Sequence, residues 1–96
     1  MLSVEYGSQF KQDYKRCKKK HRPIADLHEV IRLVAENTDE SLEELRRHHN
    51  MHTLQGKWKG RHECHVANAG DWLVIWSADD RTAFFERTGS HDELFR

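Results

Sequence analysis

The sequence lacks the marks of several large classes of protein. No apolar run approaches the roughly 18 residues of a membrane-spanning helix, and no apolar signal segment follows Met1. The chain has only two cysteines and one proline, with no repeat, low-complexity tract or linker. These absences predict one soluble cytosolic domain, residues 1–96, without a disulfide framework.

Motifs of several enzyme classes are absent as well. There is no GxSxG nucleophile turn, no phosphate-binding glycine loop and no CxxC pair. His48 and His52 are four residues apart, and His62–His65 reads HECH, which is not the HExxH of zinc proteases. The sequence therefore predicts neither a metal site nor another cofactor, and zinc bound by these histidines is the alternative.

The net charge of zero hides an uneven distribution of charge. Lys11–Arg22 contains seven basic residues and one acid, Asp13, whereas Asp26–Glu44 contains seven acids and one base, Arg32. A local basic segment can bind nucleic acid although the total charge is zero. A solvated helix face explains the same charges equally well, so the eight histidines are the more informative feature.

Periodicity predicts a strand and two amphipathic helices in the first part of the chain. Alternation over Leu2–Tyr6 indicates the strand, and apolar residues then recur at helical spacing. Ser8 is the predicted N-cap of the first helix, and Pro23 the first turn of the second, which ends at Asn37. We expect Ser41–His48 to add a short helix. The apolar stripes are Phe10, Tyr14 and Cys17, then Ile24, Leu27, Ile31 and Val34.

Alternation returns in the second part of the chain after a predicted loop at 50–60. Three strands are predicted, Arg61–Ala67, Asp71–Ser77 and Thr82–Thr88, with a hairpin loop at 67–70. Short connections favour an antiparallel meander with Asp71–Ser77, the most apolar run, at its centre. The predicted fold is an α/β (α+β) domain of order β-α-α-β-β-β, with a predominantly antiparallel sheet packed on a helical pair.

The C-terminal segment FFERTGSHDELF combines groups that suit RNA chemistry. Ser90 and Glu93 have the spacing of a capping box that starts a short helix. That helix would follow Arg87 at the strand end and would carry His91 one turn before Phe95. A fixed cation, a titratable imidazole and an aromatic face together suit a phosphate next to a base. This segment therefore favours a protein that binds and cuts RNA.

Further candidates lie on the predicted strands and loops. Patterns place His52 in a loop, His65 on an outward strand face and Asp71 at a strand start, and adjacent antiparallel strands could bring them together. Each has a simpler explanation, because an exposed strand histidine is commonly a tolerated polar residue. Arg87 could form a structural pair with Glu86 or with an acidic helix.

Three motifs together resemble the YafQ branch of the RelE-type toxins of the RelE/ParE superfamily. They are HTLQGKWKG at 52–60, CHV followed by DW, and FERTGSHDELF, and the likeness extends over nearly the whole chain. The resemblance implies a RelE-like fold. It also implies an endoribonuclease (mRNA interferase) of a type II toxin–antitoxin pair, which inhibits translation by cutting messenger RNA in the ribosomal A site.

Carried over by position, the resemblance implies catalytic roles for six residues and RNA contacts for four. The catalytic set is His52, His65, Asp71, Arg87, His91 and Phe95, and the RNA-binding set is Trp72, Lys57, Lys59 and Arg61. The implied reaction is metal-free acid–base cleavage by His91 and His65, with His52 in support. Asp71 would accept a proton or fix a histidine tautomer.

The resemblance also implies partners. These are a cognate antitoxin of the DinJ/RelB type, the ribosome with its mRNA, and operator DNA only through the antitoxin complex, with no membrane. Two alternatives stay open: a non-catalytic protein that acts only as a co-repressor with its antitoxin, and a ribonuclease that does not need the ribosome.

Overall fold

The computed structural model describes residues 1–66 and 71–95, so the predicted 67–70 loop lies outside the described residues. No helix in these two ranges is long and apolar enough to cross a membrane. In chain order the elements are β1 Ser3–Tyr6, α1 Ser8–Lys19, α2 Ile24–Glu36, α3 Asp39–His49, β2 His52–Thr53, a 3₁₀ turn Gly56–Trp58, β3 His62–His65, β4 Leu73–Ala78, β5 Thr82–Gly89 and α4 His91–Phe95.

The five strands form one sheet in the order β1-β5-β4-β3-β2. β1 pairs with β5 in parallel, and the other three pairings are antiparallel. β4 lies at the centre, and its residues Leu73 to Trp76 are buried, as expected for a strand covered on both faces. The predicted mixed α+β class, the predominantly antiparallel sheet and the central apolar strand are confirmed.

The predicted order β-α-α-β-β-β was incomplete in two places. α3 is a full helix of eleven residues, because Thr38 and Ser41 form a reciprocal capping box at its start and Leu45 is buried. His52, predicted in a loop, lies in the two-residue strand β2 and pairs with Glu63. The helical layer thus contains three helices rather than a pair, and the meander has a fourth strand.

Two helix starts also differ from the prediction. Gly7, not Ser8, is the N-cap of α1, since its N–H still donates to Phe85 of β5 while its carbonyl accepts from Lys11. Pro23 is the N-cap of α2 rather than a residue of its first turn. The predicted end of α2 is confirmed, because Asn37 adopts the left-handed conformation of a C-cap, with φ of 53°.

Apolar clusters cover both faces of the sheet. The helix face carries the larger one, in which α1–α3 pack on residues such as Val74, Trp76 and Phe85. The opposite face, here called the α4 face, carries Leu73 and Ile75 under Leu94 of α4. Successive side chains of a strand point to opposite faces, so β4 serves both clusters.

A β-bulge at Glu86 decides which face carries Arg87. Trp76 lies opposite Phe85 and Ile75 lies opposite Arg87, so Glu86 is the extra residue of β5. If β5 were regular and Glu86 had its own partner on β4, Arg87 would share the helix face with Phe85, since side chains two positions apart in a regular strand point the same way. The bulge transfers Arg87 to the α4 face.

Candidate active site

Strand register arranges the predicted residues in two rows on the α4 face. One row runs His52–Glu63–Ile75–Arg87 across four strands, and the next runs His65–Leu73–Gly89. Neighbouring strands lie about 4.8 Å apart, so the backbones at the two ends of the first row are separated by about 14 Å. His52 and Arg87 therefore flank the site from opposite sides.

The predicted capping box positions α4 over these rows. Ser90 donates its N–H to Glu93 Oε1 at 2.8 Å, and Glu93 donates its N–H to Ser90 Oγ at 3.2 Å. This pairing confirms the prediction. Gly89 has a φ of 156°, a conformation that side chains rarely adopt, and a Cβ there would approach Glu93 Oε1 to 2.8 Å, so the turn between β5 and α4 favours glycine.

Asp71 holds the imidazole of His91. Asp71 Oδ1 accepts from the backbone N–H of His91 at 2.8 Å and lies 2.7 Å from its Nδ1. These two hydrogen bonds, the backbone one first, lower the pKa of the Asp71 carboxyl. When the ring is neutral, Nδ1 is the donor to the carboxylate, which leaves Nε2 with the lone pair that a base needs.

Aromatic rings extend this pair into a cluster on the α4 face. The ring centroids of His65 and His91 are 6.3 Å apart, those of His91 and Phe95 are 6.1 Å apart, and those of Phe95 and Trp58 are 5.9 Å apart. Phe95 is exposed rather than a core residue. His49 Nδ1 lies 2.9 Å from the His65 carbonyl oxygen, which it reaches as a donor. The predicted closeness of His65, His91 and Phe95 is confirmed.

His52 lies against a buried carboxylate that the sequence analysis did not select. Its Nε2 is 3.2 Å from Oε1 of Glu63, and its Nδ1 is 2.9 Å from the carbonyl oxygen of Asn50. Both ring nitrogens therefore lie within hydrogen-bond distance of an oxygen atom, which fixes the orientation of the ring. Glu63 is on the same face as His65, two positions along β3, which brings His52 to the edge of the site.

Arg87 is anchored by a second unpredicted carboxylate. Its Nε donates to Asp13 Oδ2 at 2.8 Å, and its Nη2 donates to Asp13 Oδ1 at 3.4 Å. Asp13 is completely buried in α1, on the stripe between Phe10 and Cys17. The sequence did carry a signal for it, because Asp13 is the single acid in the basic Lys11–Arg22 segment.

The four residues predicted to contact RNA have different surroundings. Lys57 and Lys59 are exposed at the 3₁₀ turn, whereas Arg61 is paired with Glu86 at 2.9 and 3.4 Å. Trp72 is fully buried, and its Nε1 donates to Thr88 Oγ1 at 2.9 Å. A ring without exposed surface has no face for a base, so this placement favours a packing role for Trp72 over direct RNA contact.

Metal ligands are not assembled in the described part of the chain. Among residues 1–66 and 71–95, no three histidine, cysteine, aspartate or glutamate side chains are arranged to hold an ion. The free thiols of Cys17 and Cys64 are buried, and burial raises the pKa of each.

Residues 2–96 match the family model described as the bacterial toxin of the type II toxin–antitoxin system, YafQ. The chain belongs to the YafQ toxin family. It is 36% identical to the mRNA interferase toxin YafQ of Escherichia coli K12 over 92 residues, which cover 96% of this chain and 94% of that protein.

Solved YafQ structures agree with this family assignment. The crystal structure of YafQ from E. coli BL21(DE3) matches with a TM-score of 0.87 at 33% identity and covers 100% of both chains. YafQ in the crystal structure of the E. coli DinJ–YafQ toxin–antitoxin complex matches with a TM-score of 0.84 at 35% identity, over 99% of this chain and 98% of that chain.

Proposed function

We propose that this YafQ-family toxin is an endoribonuclease that cleaves mRNA on the ribosome by acid–base catalysis. The observation that carries the proposal is the cluster of His65 and His91, 6.3 Å apart, with Asp71 oriented against His91. Two imidazoles at this separation can serve the two proton transfers of a phosphodiester cleavage, because histidine titrates near the pH of the cell.

In the proposed reaction one imidazole removes the proton from a ribose 2′-hydroxyl. The oxygen attacks the adjacent phosphorus, and the P–O5′ bond breaks. The other imidazole gives a proton to the departing 5′-oxygen. The products are a 2′,3′-cyclic phosphate and a 5′-hydroxyl. Each well-placed acid or base contributes roughly 10²–10⁴-fold to the rate.

The surrounding residues take supporting roles in this reaction. Asp71 fixes the tautomer of His91, which is one of the two roles that the sequence left open for it. Arg87 meets the charge that develops on the phosphoryl oxygens, since its guanidinium is a permanent cation. His52 flanks the site, and Phe95, exposed beside His91, stacks on a base.

We also infer that the chain pairs with an acidic antitoxin of the DinJ/RelB type. The DinJ–YafQ toxin–antitoxin complex supports an antitoxin partner, since it shows one for a relative of this chain. The basic residues of α1, among them Lys18 and Lys19, are exposed and provide an electrostatic anchor for it. A protein that acts only as a co-repressor has no chemical need for the Asp71–His91–His65 arrangement, which favours the ribonuclease.

Replacement of His91 by alanine tests the proposed function. His48 provides a matched control, because its Nδ1 also lies 2.7 Å from a carboxylate, that of Glu44, but on the exposed side of α3. Induced in a bacterium, the native chain and His48→Ala should arrest growth and yield mRNA fragments with 5′-hydroxyl ends. His91→Ala should do neither.

The same chains added to purified mRNA, with and without translating ribosomes, test the need for the ribosome. Cleavage only with ribosomes is the expected result, and equal cleavage without them would favour the ribosome-independent alternative. Growth arrest by His91→Ala would contradict the proposed mechanism.

A further inference from the structure

At one edge of the sheet, side chains of α1 bind backbone groups of β5 that have no neighbouring strand. β1 ends opposite Phe85, whereas β5 continues to Gly89, so the outer edge of its last residues has no neighbouring strand. Asp13 Oδ2 accepts from the Thr88 N–H at 3.1 Å, and Arg16 Nη2 donates to the Thr88 carbonyl at 3.3 Å. Two side chains of α1 thus satisfy the backbone groups that buried strands must pair.

The Asp13 carboxylate, which accepts from the Thr88 N–H at this edge, also accepts from the guanidinium of Arg87. Nε and Nη2 of Arg87 engage the two oxygens of Asp13, a two-point contact that restricts the rotation of the guanidinium. The hydrogen bonds found among residues 1–66 and 71–95 do not use Nη1 of Arg87. The Arg87 side chain is 21% exposed, so with respect to the described residues this edge of the guanidinium can receive an anion.

Ion pairs continue from Asp13 to the helix that carries His91. Arg16 contacts Asp13 at 3.0 Å and Glu93 at 2.8 Å, and Lys20 contacts Glu93 at 2.9 Å. Three cations and two carboxylates leave this network with a charge of +1, so the pairing does not cancel the positive field of Arg87. α1 fixes Arg87 and α4 from the same side.

We propose that Asp13 is a positioning residue, which acts on catalysis by holding Arg87 in the orientation that receives the scissile phosphate. The inference rests on the role proposed above for Arg87, and it adds a buried residue of α1 to the machinery on β5 and α4. Donors that are preorganised towards developing charge stabilise a transition state without reorganisation during the reaction. Asp13 supplies that preorganisation.

Asp13→Asn tests the inference, because it keeps the size of the side chain and removes its charge and one acceptor. The rate of cleavage of a defined mRNA in a translation extract should fall about tenfold. The largest expected loss is about 30-fold, which is the factor that corresponds to the whole rotamer entropy of one arginine side chain. Arg87→Lys keeps the charge but loses the two-point contact. In that background Asp13→Asn should have almost no further effect on cleavage.

Cys17→Ala is the matched control for lost stability. Cys17 is buried one turn after Asp13 on the same helix and makes no hydrogen bond with Arg87. Cys17→Ala should lower the melting temperature of the protein and leave cleavage by the folded protein unchanged. As a readout that is independent of activity, the Nε–H signal of Arg87 in an NMR spectrum should be protected from exchange in the native protein and unprotected in Asp13→Asn.

Different results would contradict the proposed role of Arg87 and the inference about Asp13. If Arg87→Ala cleaves as fast as the native chain, the role of Arg87 in the proposed function is wrong. The inference about Asp13 is overturned if Arg87→Ala is inactive while Asp13→Asn keeps full activity. It is overturned as well if Asp13→Asn lowers cleavage equally in the native and Arg87→Lys backgrounds, or if the Arg87 signal stays protected without the carboxylate.

Discussion

Glu93 lies at the junction between α1 and α4, and its ionisation should make the stability of the protein depend on pH. Its carboxylate accepts from the Ser90 N–H at 2.8 Å and pairs with Arg16 and Lys20 at 2.8 and 2.9 Å. The hydrogen bond from Ser90 is the largest cause, ahead of Lys20 and Arg16, that lowers the pKa of Glu93 from 4.5 to about 2. Glu93→Gln removes the charge and keeps an oxygen for the cap.

The sign and size of the effect follow from this shift in pKa. A carboxyl whose pKa is lower in the folded state stabilises the protein above its unfolded pKa, and the effect is lost as the pH falls from about 4.5 towards 2. The full shift corresponds to about 3 kcal/mol as an upper limit. Solvent screens the partly exposed ion pairs, so we expect Glu93→Gln to cost about 1–2 kcal/mol at pH 7.

Urea unfolding between pH 7 and pH 3 measures how much the Glu93 charge contributes to the free energy of unfolding. The difference in free energy of unfolding between the native chain and Glu93→Gln should shrink by more than half as the pH falls to 3. Glu5→Gln is the control, because Glu5 is exposed on β1 and makes no ion pair within the described residues. A difference that stays constant over this range of pH would refute the reasoning.

Two other predictions concern the core and the antitoxin. Trp72→Phe leaves Thr88 Oγ1 without its indole donor and opens a cavity. The free energy of unfolding, measured by chemical denaturation, should therefore fall by about 2–3 kcal/mol. A loss below about 0.5 kcal/mol would contradict the packing role of Trp72. Changing Lys18 and Lys19 to glutamate should weaken binding of an acidic antitoxin at least tenfold by calorimetry. Lys20 is left unchanged because it pairs with Glu93. If the Lys18 and Lys19 variant binds the antitoxin with unaltered affinity, the basic surface of α1 is not the electrostatic anchor.

Features that depend on a few neighbouring residues were predictable from the sequence. The capping box of Ser90 and Glu93 is set by a spacing of three residues, and the buried stripe of α2 is set by helical periodicity. The central position of β4 followed from its apolar run. Strand alternation and the C-terminal helix together led to the α4 face, where His65, His91 and Phe95 are neighbours.

Features that depend on tertiary structure were not predictable in the same way. β2 has only two residues, too few for alternation to be visible, so His52 read as a loop residue. The bulge at Glu86 is one extra residue in an otherwise regular strand, and nothing local distinguishes it from its neighbours. Asp13 was visible as a lone acid, but only the packing of α1 beside β5 identifies Arg87 as its partner.

The Asp13–Arg87 contact also bears on how a cell can make such a protein safely. The two residues are 74 positions apart, and the parallel pairing of β1 with β5 likewise joins early and late parts of the chain. Contacts so distant in sequence form late, since a long loop must close before they contribute. Under the proposed mechanism the site is therefore incomplete until β5 and α4 have been synthesised and have docked on α1. The time before docking is an interval in which an antitoxin can bind first.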